Sequence, residues 1–243
     1  MGAALLMLAG LGVTAPEALA VEVPACGDVL FVGVRGSGQN VGMGSENLDL
    51  LRALVDGPEE ITAYPLPYRA SPVTTFVKPA SGRADYLRSV RRGVRALEKL
   101  LRERTRDCPD ERLVLSGFSQ GAMVIHRVLQ RARPATLEHI AAVALMADGD
   151  RAPGDRAVRV GSAPAAGRGV AQAYAGTFEA RRAPLPAGPA VFSLCSRYDL
   201  VCDFTPLHRH SGPLFVTGFL VHLGYGRAEI EPLAVRIQRA LAR

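Results

Sequence analysis

Lysine is almost missing from this chain. Lys78 and Lys99 are the only two among 243 residues, so arginine supplies nearly all of the positive charge behind a net +6 and a pI near 9.5. Such a balance suits a nucleic-acid binder in bulk, but arginine is scattered along the whole length and no basic run is interleaved with aromatics. The usual nucleic-acid footprint is therefore excluded. Apolar runs of membrane-spanning length are missing as well, since a bilayer needs about 20 such residues in a row. No CxxC pair occurs and no histidine neighbours a cysteine, which removes the common zinc arrangements. No internal repeat is visible, so solenoids and propellers drop out.

What is present points to one exported domain. Hydrophobic residues make up 48% of the chain, enough for a large core and too many for a disordered protein. The length suits a single α/β unit, which often runs to roughly 200–250 residues. The first 20 residues read differently from the rest. An apolar run over residues 3–13 leads through Thr14-Ala15-Pro16 to the small-x-small triplet Ala18-Leu19-Ala20. That is a secretory signal-peptide pattern, although no Lys or Arg lies near Met1. The expected organisation is a signal peptide over 1–20 and one domain over 21–243, secreted to the extracellular side. Four cysteines follow: Cys26, Cys108, Cys195 and Cys202. An even count in an exported chain implies two disulfides. Sequence alone allows three pairings. Cys195 and Cys202 are close enough to close a small loop, leaving Cys26 with Cys108.

Periodicity supplies the elements. Residues 28–34 (DVLFVGV) read as a buried strand, and 61–68 as a second, weakened by Pro65 and Pro67. Residues 85–104 are helical, with Leu87, Val90, Val94, Leu97 and Leu101 recurring at three- and four-residue steps. Strands follow at 112–116, 140–147 and 190–194, with helices at 122–131 and 229–241. Strands alternating with helices predict an α/β fold: a three-layer sandwich with a central, mostly parallel sheet and helices on both faces. Residues 148–188, rich in Gly, Pro and Ala, read as a long surface excursion within the same domain.

The central signal is Gly117-Phe118-Ser119-Gln120-Gly121, which follows a strand and opens a helix. This is G-x-S-x-G in the context that gives it meaning, a nucleophile elbow. A serine at the apex of so sharp a turn takes strained backbone angles, and glycines two residues either side leave room for the packed neighbours. The turn exposes the hydroxyl and aims the helix N-terminus at it, where backbone N–H groups, chiefly that of Gln120, can stabilise an oxyanion. A serine needs a base, and the base needs an orienting acid. In this fold the chain order is Ser, acid, His, so both partners should follow Ser119. Asp148, Asp150, Asp199 and Asp203 are acid candidates. Asp199 stands out, because it lies just after a strand inside the Cys195–Cys202 loop. His208, His210 and His222 are base candidates, and spacing does not rank them. His126 and His139 precede Asp199 and read as surface or satisfied core residues.

These residues resemble the cutinases, with the related acetylxylan esterases and actinobacterial cutinase-like hydrolases. Four segments carry the resemblance: Asp107-Cys108-Pro109-Asp110 leading into Gly117–Ala122; Cys195-x3-Asp199-x2-Cys202; Arg35-Gly36-Ser37; and His222-Leu223-Gly224-Tyr225-Gly226. It implies an α/β-hydrolase fold with Ser119 as nucleophile, Asp199 as acid and His222 as base. It also implies Ser37 and Gln120 as the oxyanion hole and the pairings Cys26–Cys108 and Cys195–Cys202. The activity implied is hydrolysis of carboxylic esters, with no cofactor, by a monomer acting on a lipid, polyester or acylated polysaccharide. Two departures bear on the substrate. The stretch from Cys202 to His222 is longer than in fungal cutinases, which keeps His208 and His210 in play, and 148–188 is longer and richer in Arg and Ala.

The same residues admit rival readings. Asp148-Gly149-Asp150 with Asp155 lacks a full calcium-loop pattern, and no metal is expected. Arg88, Arg91, Arg92 and Arg95 form a basic helix face, read as solvated, with docking to an acidic polymer or membrane as the alternative. A polysaccharide deacetylase or a lipase or phospholipase on the same fold is the nearest rival. A non-catalytic cell-wall or lipid-binding protein is the more distant one.

Overall fold

Residues 29–34 are apolar at every position but Gly33, and all six are buried. Such a run suits a strand covered on both faces, as parallel sheets require. In the computed structural model this is β1 (Val29–Val34), an interior strand second from one edge of a six-stranded sheet. The structure describes residues 22–40, 42–75 and 80–243. The expected signal peptide lies outside the described residues.

The other strands are β2 (Ile61–Pro65), β3 (Arg112–Phe118), β4 (Ile140–Met146), β5 (Val158–Val160) and β6 (Ala190–Leu194). Their order is β2-β1-β3-β4-β6-β5, and every pairing is parallel. The helices are α1 (Ser45–Val55), α2 (Ala80–Asp107), α3 (Gln120–Leu129), α4 (Pro134–Glu138), α5 (Val170–Ala173), α6 (Ala175–Phe178), α7 (Leu207–His210), α8 (Gly212–Leu223) and α9 (Arg227–Leu241).

Alternation along the strands builds the three layers. Leu30, Val32, Val34, Leu113 and Leu115 face one core with Val90, Leu97, Met123 and Val128 of α2 and α3. Val29, Phe31 and Val114 face the other, with Leu50 and Leu54 of α1 and Leu233 and Ile237 of α9. The three-layer α/β expectation holds, and the sheet is wholly rather than mostly parallel. β2 is an edge strand that stops at Pro65, short of the expected Tyr68: the Leu66 N–H still donates to the Gly33 carbonyl at 3.0 Å, and Pro67 has no N–H to carry the ladder on.

Two disulfides close the frame, Cys26–Cys108 and Cys195–Cys202. The first ties the approach to β1 to the end of α2. There the Arg104 guanidinium pairs with Glu111, both almost fully buried, and Glu111 also accepts from the Gly27 N–H at 3.0 Å.

Residues 148–188 are more than a surface excursion. They add edge strand β5 and seat a buried ionic cluster under α3. His126 Nδ1 lies 2.6 Å from Asp148 Oδ2, and Arg127 Nε donates to Asp150 at 2.6 Å. Burial works against a charged His126, yet Asp148, its hydrogen bond, Asp150 and Asp155 outweigh it and raise the pKa to about 9. Asp148 and Asp150 are thus committed to α3. Among the described residues, no cluster of three or more His, Cys, Asp or Glu is placed to hold a metal.

Candidate active site

β3 ends at Phe118 and α3 begins at Gln120, so Ser119 alone makes the turn. Its φ of 53° and ψ of −113° are strained for a residue with a side chain. The strain is held by packing. Ser119 N–H donates to the Met146 carbonyl at 2.8 Å, and Met123 N–H donates to the Ser119 carbonyl at 3.1 Å. The flanking glycines are obligatory for contact reasons. A Cβ on Gly117 would sit 2.6 Å from the Gly121 backbone, and one on Gly121 would land on the Val34 carbonyl oxygen. Helix therefore crosses strand at a distance only hydrogen allows.

Two further segments converge on Ser119. After β6, the Cys195–Cys202 loop carries Asp199, which is fully buried. Its Oδ1 accepts from the N–H groups of Val201 at 2.6 Å and Cys202 at 3.0 Å. The last turn of α8 carries His222, stacked on Phe118 with ring centroids 5.1 Å apart. His222 Nδ1 lies 3.2 and 3.1 Å from the two Asp199 oxygens, and Nε2 lies 3.0 Å from Ser119 Oγ. Burial alone would raise the Asp199 pKa. The His222 hydrogen bond and charge, with the two N–H donors, more than offset it and bring the pKa below the ordinary carboxylate value. Asp199 thus stays ionised and fixes the Nδ1–H tautomer, leaving Nε2 free to accept the serine proton.

The other candidates fall elsewhere. Asp203 Oδ2 accepts from the Tyr198 N–H at 2.9 Å, and so shapes the loop one residue before Asp199. His208 is buried. Its Nδ1 accepts from the Thr205 N–H at 3.0 Å and its Nε2 lies 3.2 Å from the Tyr198 carbonyl, so it braces the same loop. His210 is exposed on α7. The loop of Arg35, Gly36 and Ser37 runs beside the elbow, where a Cβ on Gly36 would meet the Phe118 ring at 2.8 Å. Gln120 is fully buried next to Ser119.

Two supports had no role in the sequence reading: Tyr225, quoted only as part of a motif, and Gly218. Tyr225 Oη accepts from the Ser196 N–H at 2.8 Å and underlies the acid loop. Gly218 lets α8 approach that loop, for a Cβ there would sit 2.8 Å from the Tyr198 carbonyl. A lone glycine inside an apolar run was the available signal for the second.

Chemically, the three side chains can pass a proton from a hydroxyl to an imidazole whose charge a buried carboxylate balances. The chain is 34% identical over 131 residues to a cutinase of Hypocrea jecorina (strain QM6a), covering 52% of this chain and 48% of the relative. It is 32% identical over 135 residues to carboxylesterase Culp1 of Mycobacterium tuberculosis (strain ATCC 25618 / H37Rv), covering 53% of this chain and 55% of that protein. The chain thus spans about half the length of the curated relatives it matches. Its fold is similar to the catalytic core domain of acetyl xylan esterase from Trichoderma reesei, with a TM-score of 0.66 at 21% identity over 89% of this chain and 100% of that one. The Cutinase family model matches residues 25–230, and the chain belongs to that family.

Proposed function

We propose that this protein is a secreted serine esterase that cleaves carboxylic esters through an acyl-serine intermediate. The observation that carries the reading is the 3.0 Å approach of His222 Nε2 to Ser119 Oγ, with Nδ1 held by buried Asp199. Ser119 Oγ attacks the ester carbonyl carbon while His222 takes its proton. The tetrahedral oxyanion rests against the N–H groups of Ser37 and Gln120. His222 then gives the proton to the departing alkoxide, and the carbonyl reforms as an acyl-serine. Water, deprotonated by His222, repeats the sequence and frees the acid.

The flank of the site supports an apolar substrate. α8 exposes Phe215, Val216, Phe219, Leu220 and Leu223, and Leu207 and Tyr198 extend the patch. An exposed apolar area of this kind beside a site marks a contact surface. No acidic residue occurs between Phe204 and Ala228. Lipid or polyester esters fit this flank better than an acylated polysaccharide does. Two disulfides support an oxidising, extracellular location, and no described helix is long and apolar enough to cross a membrane.

The test is hydrolysis of p-nitrophenyl esters with acyl chains of about two to sixteen carbons. The wild type should release p-nitrophenol and Ser119→Ala should lose at least about 10³-fold in kcat without loss of fold. Phe219→Ser with Leu220→Ser should leave the soluble short esters unaffected and slow turnover of dispersed long-chain esters. Hydrolysis that persists in Ser119→Ala defeats the proposal.

A further inference from the structure

The two halves of the proposed oxyanion hole come from separate pieces of chain. Ser37 follows β1, and Gln120 opens α3. A third segment bridges them. The Ser71 carbonyl accepts from Ser37 Oγ at 2.8 Å and lies 3.5 Å from Gln120 Nε2.

From the side of α2, Ser89 holds that bridge, while Tyr86 on the same helix hydrogen-bonds the Gln120 side chain. Ser89 Oγ accepts from the Ser71 N–H at 3.0 Å, and its single proton is shared between the Arg69 carbonyl oxygen and Gln120 Oε1, the latter at 3.1 Å. Ser89 and Gln120 are both buried, so water does not compete for these bonds. Its neighbours on α2, Tyr86, Leu87 and Val90, belong to the apolar core. An apolar residue would pack there without the desolvation cost of a hydroxyl. The hydroxyl is satisfied solely by the segment and the side chain that frame the oxyanion donors.

We propose that Ser89 is a positioning residue for ester hydrolysis, holding the Ser37 and Gln120 N–H groups convergent through Ser71 and the Gln120 side chain. It touches neither substrate nor reacting atoms. The inference rests on the serine-esterase reading above. Donors allowed to drift by a fraction of an ångström lose their grip on the oxyanion and not on the neutral ester, so the defect belongs in kcat.

Ser89→Ala is expected to lower kcat for p-nitrophenyl butyrate about 10- to 100-fold with KM within about twofold of wild type. Inactivation by a p-nitrophenyl alkylphosphonate, whose tetrahedral oxygen occupies the same hole, should slow in parallel. The pH profile should keep its shape, because His222 and Asp199 are untouched. Ile237→Ala, in the opposite core, should lower the melting temperature without lowering kcat. Should Ser89→Ala fail to fold, Ser89→Cys keeps the volume, weakens the hydrogen bonds and carries the same kcat loss at smaller amplitude. Wild-type kcat in folded Ser89→Ala or Ser89→Cys overturns the proposal, as does an equal kcat loss in Ile237→Ala. Activity retained in Ser119→Ala would sink the esterase reading itself. An inactive Ser119→Ala beside a fully active Ser89→Ala sinks only the role of Ser89.

Discussion

The elbow and α8 each supply one atom to the 3.0 Å contact between Ser119 and His222, and they are built in opposite ways. Every residue of α3 is buried, and the turn before it is locked between strand and helix backbones. On α8 only Gly218 is buried, and most of the helix shows apolar side chains to solvent. Ser119 is thus fixed by the core. His222 is carried on a peripheral helix, held by Gly218 against the Cys195–Cys202 loop, by Phe118 under the imidazole and by the Asp199 carboxylate. One side has no freedom to lose, and the other keeps an open apolar flank at the cost of fewer contacts.

The sharpest way to break this contrast is to put a methyl group on each side. Gly121→Ala drives a Cβ onto the Val34 carbonyl, and backbone cannot yield there. The loss should exceed about 4 kcal/mol and leave no folded protein, read by near-UV circular dichroism and soluble yield. A folded, active Gly121→Ala would show that the elbow is softer than its packing implies.

The ionic cluster beneath α3 gives a graded version of the same question. His126 titrates at about 9 in the folded protein, against an unperturbed 6.5. A raised pKa means that its stabilisation is complete below about pH 6.5 and is lost as pH rises through about 9. Wild-type melting temperature should therefore fall between pH 7 and pH 10, and His126→Gln should lose most of that slope. Parallel curves for the two proteins would remove His126 from the account.

The smallest effect on stability belongs to Gly218→Ala. Its Cβ would press on the Tyr198 carbonyl at 2.8 Å and on His208 at 3.0 Å, and α8 can shift outward to relieve the contact. Melting should change by about 1 kcal/mol or less, while kcat falls about 10-fold because His222 moves with the helix. Equal damage to stability and kcat would mean that α8 is as rigidly seated as α3.

The same contrast explains what could be read from the chain. Five residues at 117–121 announce the elbow because sterics leave one way to fold them, and strand 190–194 coincides with β6 because both ends are marked by turns. α8 gave no such signal, since GPLFVTGFLVHL is apolar on nearly every side and periodicity detects only contrast. The base could not be chosen by spacing, for His208, His210 and His222 lie on one stretch, and only tertiary packing sends His208 to the loop and His222 to Ser119. The resemblance ranked His222 where periodicity could not. The edge strand Val158–Val160 is too short to declare itself, and the buried Asp148, Asp150 and Arg151 were hidden in a stretch whose composition looks like surface.

The central claim is that the hydroxyl at position 119 is the nucleophile and that His222 activates it. Mass spectrometry after treatment with a p-nitrophenyl alkylphosphonate tests it most directly. One phosphonyl group should be added, the modified peptide should map to Ser119, and both His222→Ala and Asp199→Asn should slow labelling by at least about 10²-fold. Ester turnover accompanied by labelling at another residue, or undiminished labelling in His222→Ala, would contradict it.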